Sequence, residues 1–157
     1  MTLRRASQVA QAPMRDFSKS LPMSLLRARE AVMRQFRPSL RAYDLTEQQW
    51  RILRALSATG EAEVSSLARS AFILGPSLSR ILRDLEARRL IRRHLVRNDL
   101  RRSVVALTAR GAQLIAAIAP TSEAIYAEIA ARFGAARLVE LQDMLGELEA
   151  CLLADLK

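Results

Sequence analysis

The stretch that decides the fold of this chain is residues 65–111, SSLARSAFILGPSLSRILRDLEARRLIRRHLVRNDLRRSVVALTARG. The first residues of this stretch belong to a short helix, which the apolar spacing predicts over residues 63–71. Gly75 and Pro76 then mark the beginning of another helix, because Pro is tolerated in the first helical turn. The apolar residues of this second helix recur at i, i+3, i+4 and i+7 and so share one buried face. They are Leu78, Ile81, Leu82 and Leu85.

A β-hairpin is predicted directly after the amphipathic helix. Two β-prone runs, residues 90–95 and 103–107, are separated by VRNDLRR, whose Asn98 and Asp99 favour a turn. Asp99 either pairs with Arg101 and holds the loop in shape or forms the turn without a partner. The order of short helix, turn, helix and hairpin is that of a winged helix-turn-helix domain, a DNA-binding fold.

Helices are also expected before this segment. Ser20 is the expected N-cap of a helix over residues 21–36, which Pro38 kinks or ends. Thr46 and Gln49 form a capping-box pattern that predicts the start of the next helix.

Two glycines and a threonine mark the boundaries of the other predicted helices. Gly60 is expected to end the helix that follows the capping box. Thr108 caps a helix through about residue 131, with a kink expected at Pro120. Gly134 separates that helix from the last one, whose apolar stripe is too large for a small winged domain to bury, so a second copy of the chain is expected to cover it. The stripe comprises Leu138, Leu141, Leu145, Leu148 and Leu152.

The fold class is therefore mainly α with a small β-hairpin wing. The composition agrees, since the chain has only seven aromatic residues and five each of Gly and Pro. One compact unit with four parts is expected: a flexible or partly helical basic arm (1–20), an N-terminal dimerisation helix (21–44), the winged helix-turn-helix DNA-binding domain (45–107) and C-terminal dimerisation helices (108–157).

The charge is concentrated where the winged domain is predicted. The 157 residues carry a net charge of +9, and residues 80–110 hold ten Arg against three acids, whereas residues 111–157 hold three Lys or Arg against seven acids. Cationic side chains that neutralise phosphates release counterions, so double-stranded DNA is the expected partner. The alternative is that the Arg content reflects a GC-rich genome.

Several functional classes are excluded by what the chain lacks. One His and one Cys, far apart in the sequence, support neither hydrolytic catalysis nor a zinc site, so no enzyme activity, metal or cofactor is expected. No run of about 18 apolar residues and no signal-peptide core are visible, so no membrane association is expected. With a single cysteine, Cys151, the chain suits the cytoplasm.

The polar face of the amphipathic helix is the candidate reader of DNA sequence. Arg80 and Arg83 project away from the buried face, where Arg can reach guanine edges in a major groove. Ser77 and Ser79 are expected to add smaller contacts, mostly to phosphates. The alternative is a face that is merely solvated.

The hairpin supplies a second set of cations. Arg97, Arg101 and Arg102 are expected at its tip, where an extended Arg can enter a minor groove.

Three further residues are candidates for binding an effector. Arg29 lies within about 40° of Leu25 on the apolar stripe of the first helix, so its guanidinium needs an anion. A small aromatic carboxylate would supply one, and the alternative is a carboxylate such as Glu47 or Glu30 of the partner. Trp50 and His94 are supporting candidates, although a core-edge Trp and a structural or exposed His are the commoner explanations. The list of candidates is Arg29, Trp50 and His94.

The chain resembles the MarR (multiple antibiotic resistance regulator) family of winged-helix repressors. The resemblance rests on LTEQQWRILRAL at residues 45–56, on residues 65–111, and on the wing pattern Asp99, Arg101 and Arg102. Residues 25–56 further resemble the branch that represses homoprotocatechuate and hydroxyphenylacetate degradation.

This resemblance implies a triangular homodimer on a pseudo-palindromic operator and a repressor released by a small aromatic carboxylate. Two alternatives remain open. One is an architectural DNA-binding protein that needs no effector, and the other is a MarR-family regulator that responds to another signal.

Overall fold

The computed structural model describes residues 16–96 and 99–154, with the backbone alone described at residues 96 and 99–101. By its internal contacts the chain divides into one unit that ends at Arg34 and another that begins at Gln35. The described residues form a short 3-10 helix, Phe17–Lys19, followed by α1 Leu21–Ala42, α2 Glu47–Thr59, β1 Glu61–Glu63, α3 Val64–Ser70, α4 Gly75–Ala87, β2 Ile91–Val96, β3 Asp99–Leu107, α5 Ala109–Phe133 and α6 Ala135–Ala154.

The start of α1 differs from the predicted cap. Ser20 does precede the helix, but its hydroxyl donates a hydrogen bond to the carbonyl of Phe17 at 2.8 Å instead of capping α1. The side chain of Asp16 caps the short 3-10 helix, and its hydrogen bonds from Ser18 lower the pKa of the Asp16 carboxyl. The local 3-10 turn therefore uses the hydroxyl that the predicted cap required.

Pro38 does not end α1. The helix continues past it to Ala42, because the following Leu40 is only 2% exposed and packs in the core. An interior Pro costs a helix about 3 kcal/mol, and burial of an apolar turn offsets a cost of that size.

The capping box at the start of α2 is confirmed. The Thr46 hydroxyl oxygen accepts from the Gln49 backbone N–H at 3.1 Å, and the Gln49 side-chain oxygen accepts from the Thr46 N–H at 2.9 Å. Gly60 ends the helix in the left-handed region, at φ 77°, as predicted. This conformation suits Gly because it has no Cβ.

The sheet is larger than the predicted hairpin. Its three antiparallel strands lie in the order β1-β3-β2, and β1 pairs with β3 through Glu61↔Ala106 and Glu63↔Val104. Sequence periodicity missed β1, since it has three residues and no apolar alternation. Strand β3 begins at Asp99, four residues before its predicted start, because pairing with β2 extends the strand through polar residues.

One apolar core holds the winged segment together. The predicted buried face of α4 is confirmed, with all four apolar residues at most 7% exposed. They pack with α2, α3, the sheet and the first half of α5, through residues that include Ile52, Leu53, Leu56, Leu67, Val105 and Ile118. This packing leaves the opposite face of α4 exposed.

Helix α5 begins as predicted and ends two residues after its predicted end, and α6 begins where it was predicted. The Thr108 hydroxyl caps α5 by accepting from the Gly111 N–H at 3.0 Å, Pro120 lies inside α5, and Gly134 separates α5 from α6. By length and composition alone α5 could cross a membrane, with a mean hydropathy of 1.3 over its most apolar window, so the expectation that no segment qualifies was too strict. One such helix is weak evidence for a membrane protein, because helices that pack on other protein surfaces pass the same test.

Candidate nucleic-acid interface

Helices α3 and α4 form the helix-turn-helix. Between them, Phe72 adopts a left-handed conformation with φ 49°, which reverses the chain before α4. Leu67 on α3 and Leu78 on α4 are almost fully buried in the shared core, so the two helices are held together by packing. Gly75 and Pro76 begin α4 as predicted.

The predicted reading face of α4 is exposed. Ser77, Ser79, Arg80 and Arg83 all lie on the surface. The Ser79 hydroxyl donates to the Gly75 carbonyl at 3.3 Å, and Arg83 Nε donates to the Ser79 carbonyl at 3.4 Å. Within the described residues, neither Arg80 nor Arg83 makes an ion pair, so both charges can meet an external anion.

The wing differs from the prediction at Arg102. Arg97 and the side chain of Arg101 lie outside the described residues. Arg102 is not at the hairpin tip but within β3, where its guanidinium pairs with Glu63 at the junction of β1 and α3. Long-range pairing of β1 with β3 brings Glu63 there, which spacing along the sequence does not show.

The other strand of the wing, β2, contacts helix α4. Arg93 of β2 donates from Nε to a Glu86 carboxylate oxygen at 2.8 Å, and a terminal nitrogen of the same guanidinium contacts that oxygen. A groove of about 570 Å³ lies between α3, α4 and the two wing strands, and its lining includes Ser79, Arg93 and Arg102. The exposed face of α4 and the wing therefore border a common concave surface with basic side chains.

The three effector candidates have different surroundings. Arg29 pairs with Glu30 of its own chain at 2.9 Å and is 46% exposed, so its guanidinium has a carboxylate partner within the chain, and its role in effector binding stays a prediction. His94 is exposed on β2, opposite Val104. Trp50 is half-buried and packs against the core. This position agrees with the alternative explanation, a Trp at the edge of the core.

Sequence reasoning missed one residue beside Trp50. The guanidinium carbon of Arg54 lies 5.9 Å from the centre of the Trp50 ring, and Arg54 is exposed and makes no ion pair within the described residues. The i, i+4 spacing of the two residues on α2 was the signal available in the sequence. This pair places an aromatic face and a cation side by side.

A helix-turn-helix followed by a β-hairpin, with exposed Arg on the outer face of the second helix, defines a winged-helix DNA-binding protein. The family model that matches the chain, over residues 43–102, is described as the MarR family. Together with the relatives below, this match shows that the chain belongs to the MarR family of transcriptional regulators.

Two curated relatives and one solved structure illustrate the similarity. The HTH-type transcriptional regulator FarR of Neisseria gonorrhoeae is 39% identical over 87% of this chain and 93% of its own length. The homoprotocatechuate degradative operon repressor of Escherichia coli is 40% identical over 83% of this chain and 88% of its own. The structure of NadR in complex with 4-hydroxyphenylacetate is 39% identical, covers 87% of this chain and 97% of that one, and has a TM-score of 0.76.

Proposed function

We propose that this protein is a homodimeric repressor that binds a pseudo-palindromic operator and is released by a small aromatic carboxylate. The observation that carries the DNA-binding part is the exposed face of α4, where Arg80 and Arg83 pair with no carboxylate of the described residues. An Arg in this position can donate two hydrogen bonds to a guanine edge. Ser77 and Ser79, at the start of the same helix, are suited to phosphates.

A second copy of the chain accounts for the apolar surface that the single chain leaves open. On α5 and α6, large hydrophobic side chains are 39–60% exposed, more than a lone soluble chain of this size usually shows in one region. They include Tyr126, Phe133, Val139, Leu141, Met144, Leu145, Leu152 and Leu153. Residues 21–44 and 108–157 are accordingly proposed for dimerisation, and residues 45–107 for binding DNA.

A footprint on DNA tests the proposed function as a whole. A repressor of this kind protects one discrete site with two related halves, which a twofold-symmetric dimer requires. Continuous protection that tolerates any sequence would instead support the architectural alternative. The duplex recovered by the protein from a library of random sequences serves as the operator in the experiments below.

The wing is proposed to contact the DNA backbone and minor groove through Arg97, Arg101 and Arg102. We expect Arg102→Ala to weaken binding to operator and unrelated DNA alike and to reduce the slope of log K against log salt by about 0.9, the effect of one phosphate contact. Salt titrations of fluorescence anisotropy measure this slope. Arg132→Ala, which removes the same charge from an exposed, ion-paired position on α5, is the control. A slope equal to that of the control would remove Arg102 from the interface.

The effector part rests on the relatives and on the surroundings of Trp50. NadR has been solved with 4-hydroxyphenylacetate, and another relative represses homoprotocatechuate degradation. In this chain, Trp50 offers a flat apolar face, and the adjacent Arg54 offers a cation that makes no ion pair in the part of the chain that the structure describes. We therefore place the acid on Arg54 in preference to Arg29, whose guanidinium already pairs with Glu30. His94 remains a proposed supporting residue.

Calorimetry with 4-hydroxyphenylacetate tests this assignment. We expect Arg54→Gln to lower the affinity at least tenfold, since a charge-assisted hydrogen bond contributes about 1.5–3 kcal/mol. Arg29→Gln and His94→Gln are matched variants at the other two polar candidates. Loss of binding in Arg29→Gln alone would return the role to Arg29. Failure of the parent protein to bind this acid, phenylacetate or homoprotocatechuate would sink the aromatic-acid hypothesis and favour a regulator of another signal.

A release mechanism follows from the thermodynamics of two states. A ligand lowers DNA affinity only if it binds better to a dimer whose reading helices are wrongly spaced for successive grooves. The expected consequence is that the acid weakens operator binding by the parent and leaves operator binding by Arg54→Gln unchanged.

A further inference from the structure

Polar contacts join the end of the reading helix to the corner between α1 and α2. Arg88, which directly follows α4, donates to two backbone carbonyls of that corner, to Asp44 at 2.8 Å and to Tyr43 at 3.2 Å. Its guanidinium also lies 3.9 Å from the Asp84 carboxylate, one turn earlier on α4. The corner is thus held by the C-terminal turn of the helix that carries Arg80 and Arg83.

A buried glutamine makes the second connection. Gln49 is 9% exposed and uses both ends of its amide: the oxygen accepts from the Thr46 N–H at 2.9 Å, and the nitrogen donates to an Asp84 carboxylate oxygen at 2.6 Å. The capping box needs only the acceptor, and Glu serves that purpose as well as Gln. The amide nitrogen therefore has a separate role, which is to reach across to α4.

The same corner contacts the long helix α5. The Tyr43 hydroxyl donates to the Ala117 carbonyl at 3.4 Å, and Leu40 and Leu45 on either side of the corner are buried in the core. A continuous set of contacts therefore runs from α4 through the corner to α5. Helix α5 is one of the two helices whose apolar surface we assign to dimerisation.

We propose that Gln49, Asp84 and Arg88 form a positioning unit that fixes the angle of α4 relative to the corner and α5. This inference rests on the proposed reading of the operator by α4. Recognition of base edges needs the reading side chains in place to within about 0.5 Å, so the angle of the helix decides whether both halves of a site are contacted together. The Asp84 side chain is 52% exposed, which makes these contacts a minor source of stability. We therefore expect the loss of these contacts to change operator affinity more than the stability of the fold.

The variant Gln49→Glu separates the two roles of the amide. It keeps the capping acceptor and the shape of the side chain, but it replaces the donor by a carboxylate facing Asp84. We expect operator affinity to fall about tenfold, which is comparable to the loss of a bidentate base contact. Binding to unrelated DNA should change only by the effect of the added negative charge. Gln48→Glu, which adds the same charge at the exposed neighbouring position, is the matched control.

A second substitution supplies the rescue. In Gln49→Glu/Asp84→Asn, the new amide can donate to the new carboxylate, and the net charge returns to that of the parent. Operator affinity should recover to within about threefold of the parent, the range of a neutral surface change. Anisotropy on the selected operator and on unrelated duplex measures both affinities, and circular-dichroism melting of each variant measures folding.

Three outcomes would overturn the proposal. The first is operator binding by Gln49→Glu equal to that by Gln48→Glu, and the second is a double variant no better than Gln49→Glu. The third concerns a Gln49→Glu variant that folds poorly. If the double variant then regained the melting temperature of the parent but not its operator affinity, the contact between Gln49 and Asp84 would stabilise the fold without positioning α4. Normal operator binding by both Arg80→Ala and Arg83→Ala would instead show that α4 is not the reader, which is a failure of the proposed function.

Discussion

Arg80→Ala and Arg83→Ala should each reduce operator affinity by about fivefold to 150-fold, because a bidentate contact to a base contributes about 1 to 3 kcal/mol. The opposite face of α4 is buried in the core, so these two side chains are directed outward together. Within the described residues, neither guanidinium is paired with a carboxylate. Binding to DNA therefore does not require an internal ion pair to be broken first.

The discriminating quantity is the ratio of operator affinity to affinity for unrelated duplex of equal length. A base contact lowers this ratio, whereas a phosphate contact lowers both affinities together. Arg132→Ala on α5 removes the same charge elsewhere and should leave the ratio unchanged. If both α4 variants kept the parent's ratio at a fixed salt concentration, sequence would be read by another part of the protein.

Gly111→Ala should destabilise the fold by about 3 kcal/mol, the upper part of the usual range for overpacking. A Cβ at Gly111 would lie 2.1 Å from the Leu90 carbonyl oxygen and 3.0 Å from Leu107. The oxygen is backbone, and it also accepts a hydrogen bond from the Thr108 N–H at 3.1 Å, so it cannot move away without loss. The junction of the sheet with α5 therefore has to open.

Thermal melting checks this expectation, with a fall of about 10 °C for a chain of this length. Gly146→Ala on α6 is the matched control, because a Cβ there meets nothing within 4 Å in the chain. It should be neutral or stabilising by up to about 1 kcal/mol, the helix preference of Ala over Gly. Equal melting of Gly111→Ala and the parent would mean that the junction adapts at little cost.

Local patterns were sufficient for much of the fold. The capping box at Thr46, the stop at Gly60, the cap at Thr108 and the Gly75–Pro76 start are each confirmed, because each depends on hydrogen bonds or backbone geometry within a few residues. The buried face of α4 was also predictable, since helical spacing alone brings its apolar residues to one side.

Features that depend on distant residues were missed or misplaced. Strand β1 arises from pairing with β3 across more than thirty residues of sequence. The ion pair between Arg102 and Glu63 depends on the same pairing of β1 with β3. Because β1 was not predicted, Arg102 was expected at the tip of the hairpin. The continuation of α1 past Pro38 depends on burial of Leu40, which only the assembled core provides.

The candidate site divides in the same way. By itself the sequence determined which face of α4 is exposed, because Arg80 and Arg83 need only the geometry of one helix to be placed opposite a buried stripe. The tertiary structure alone decided that Arg102 has a carboxylate partner and that Gln49 spans to Asp84. Such contacts form between side chains that lie 39 and 35 positions apart, and their distance in space is set by the packing of whole elements, which no local periodicity encodes.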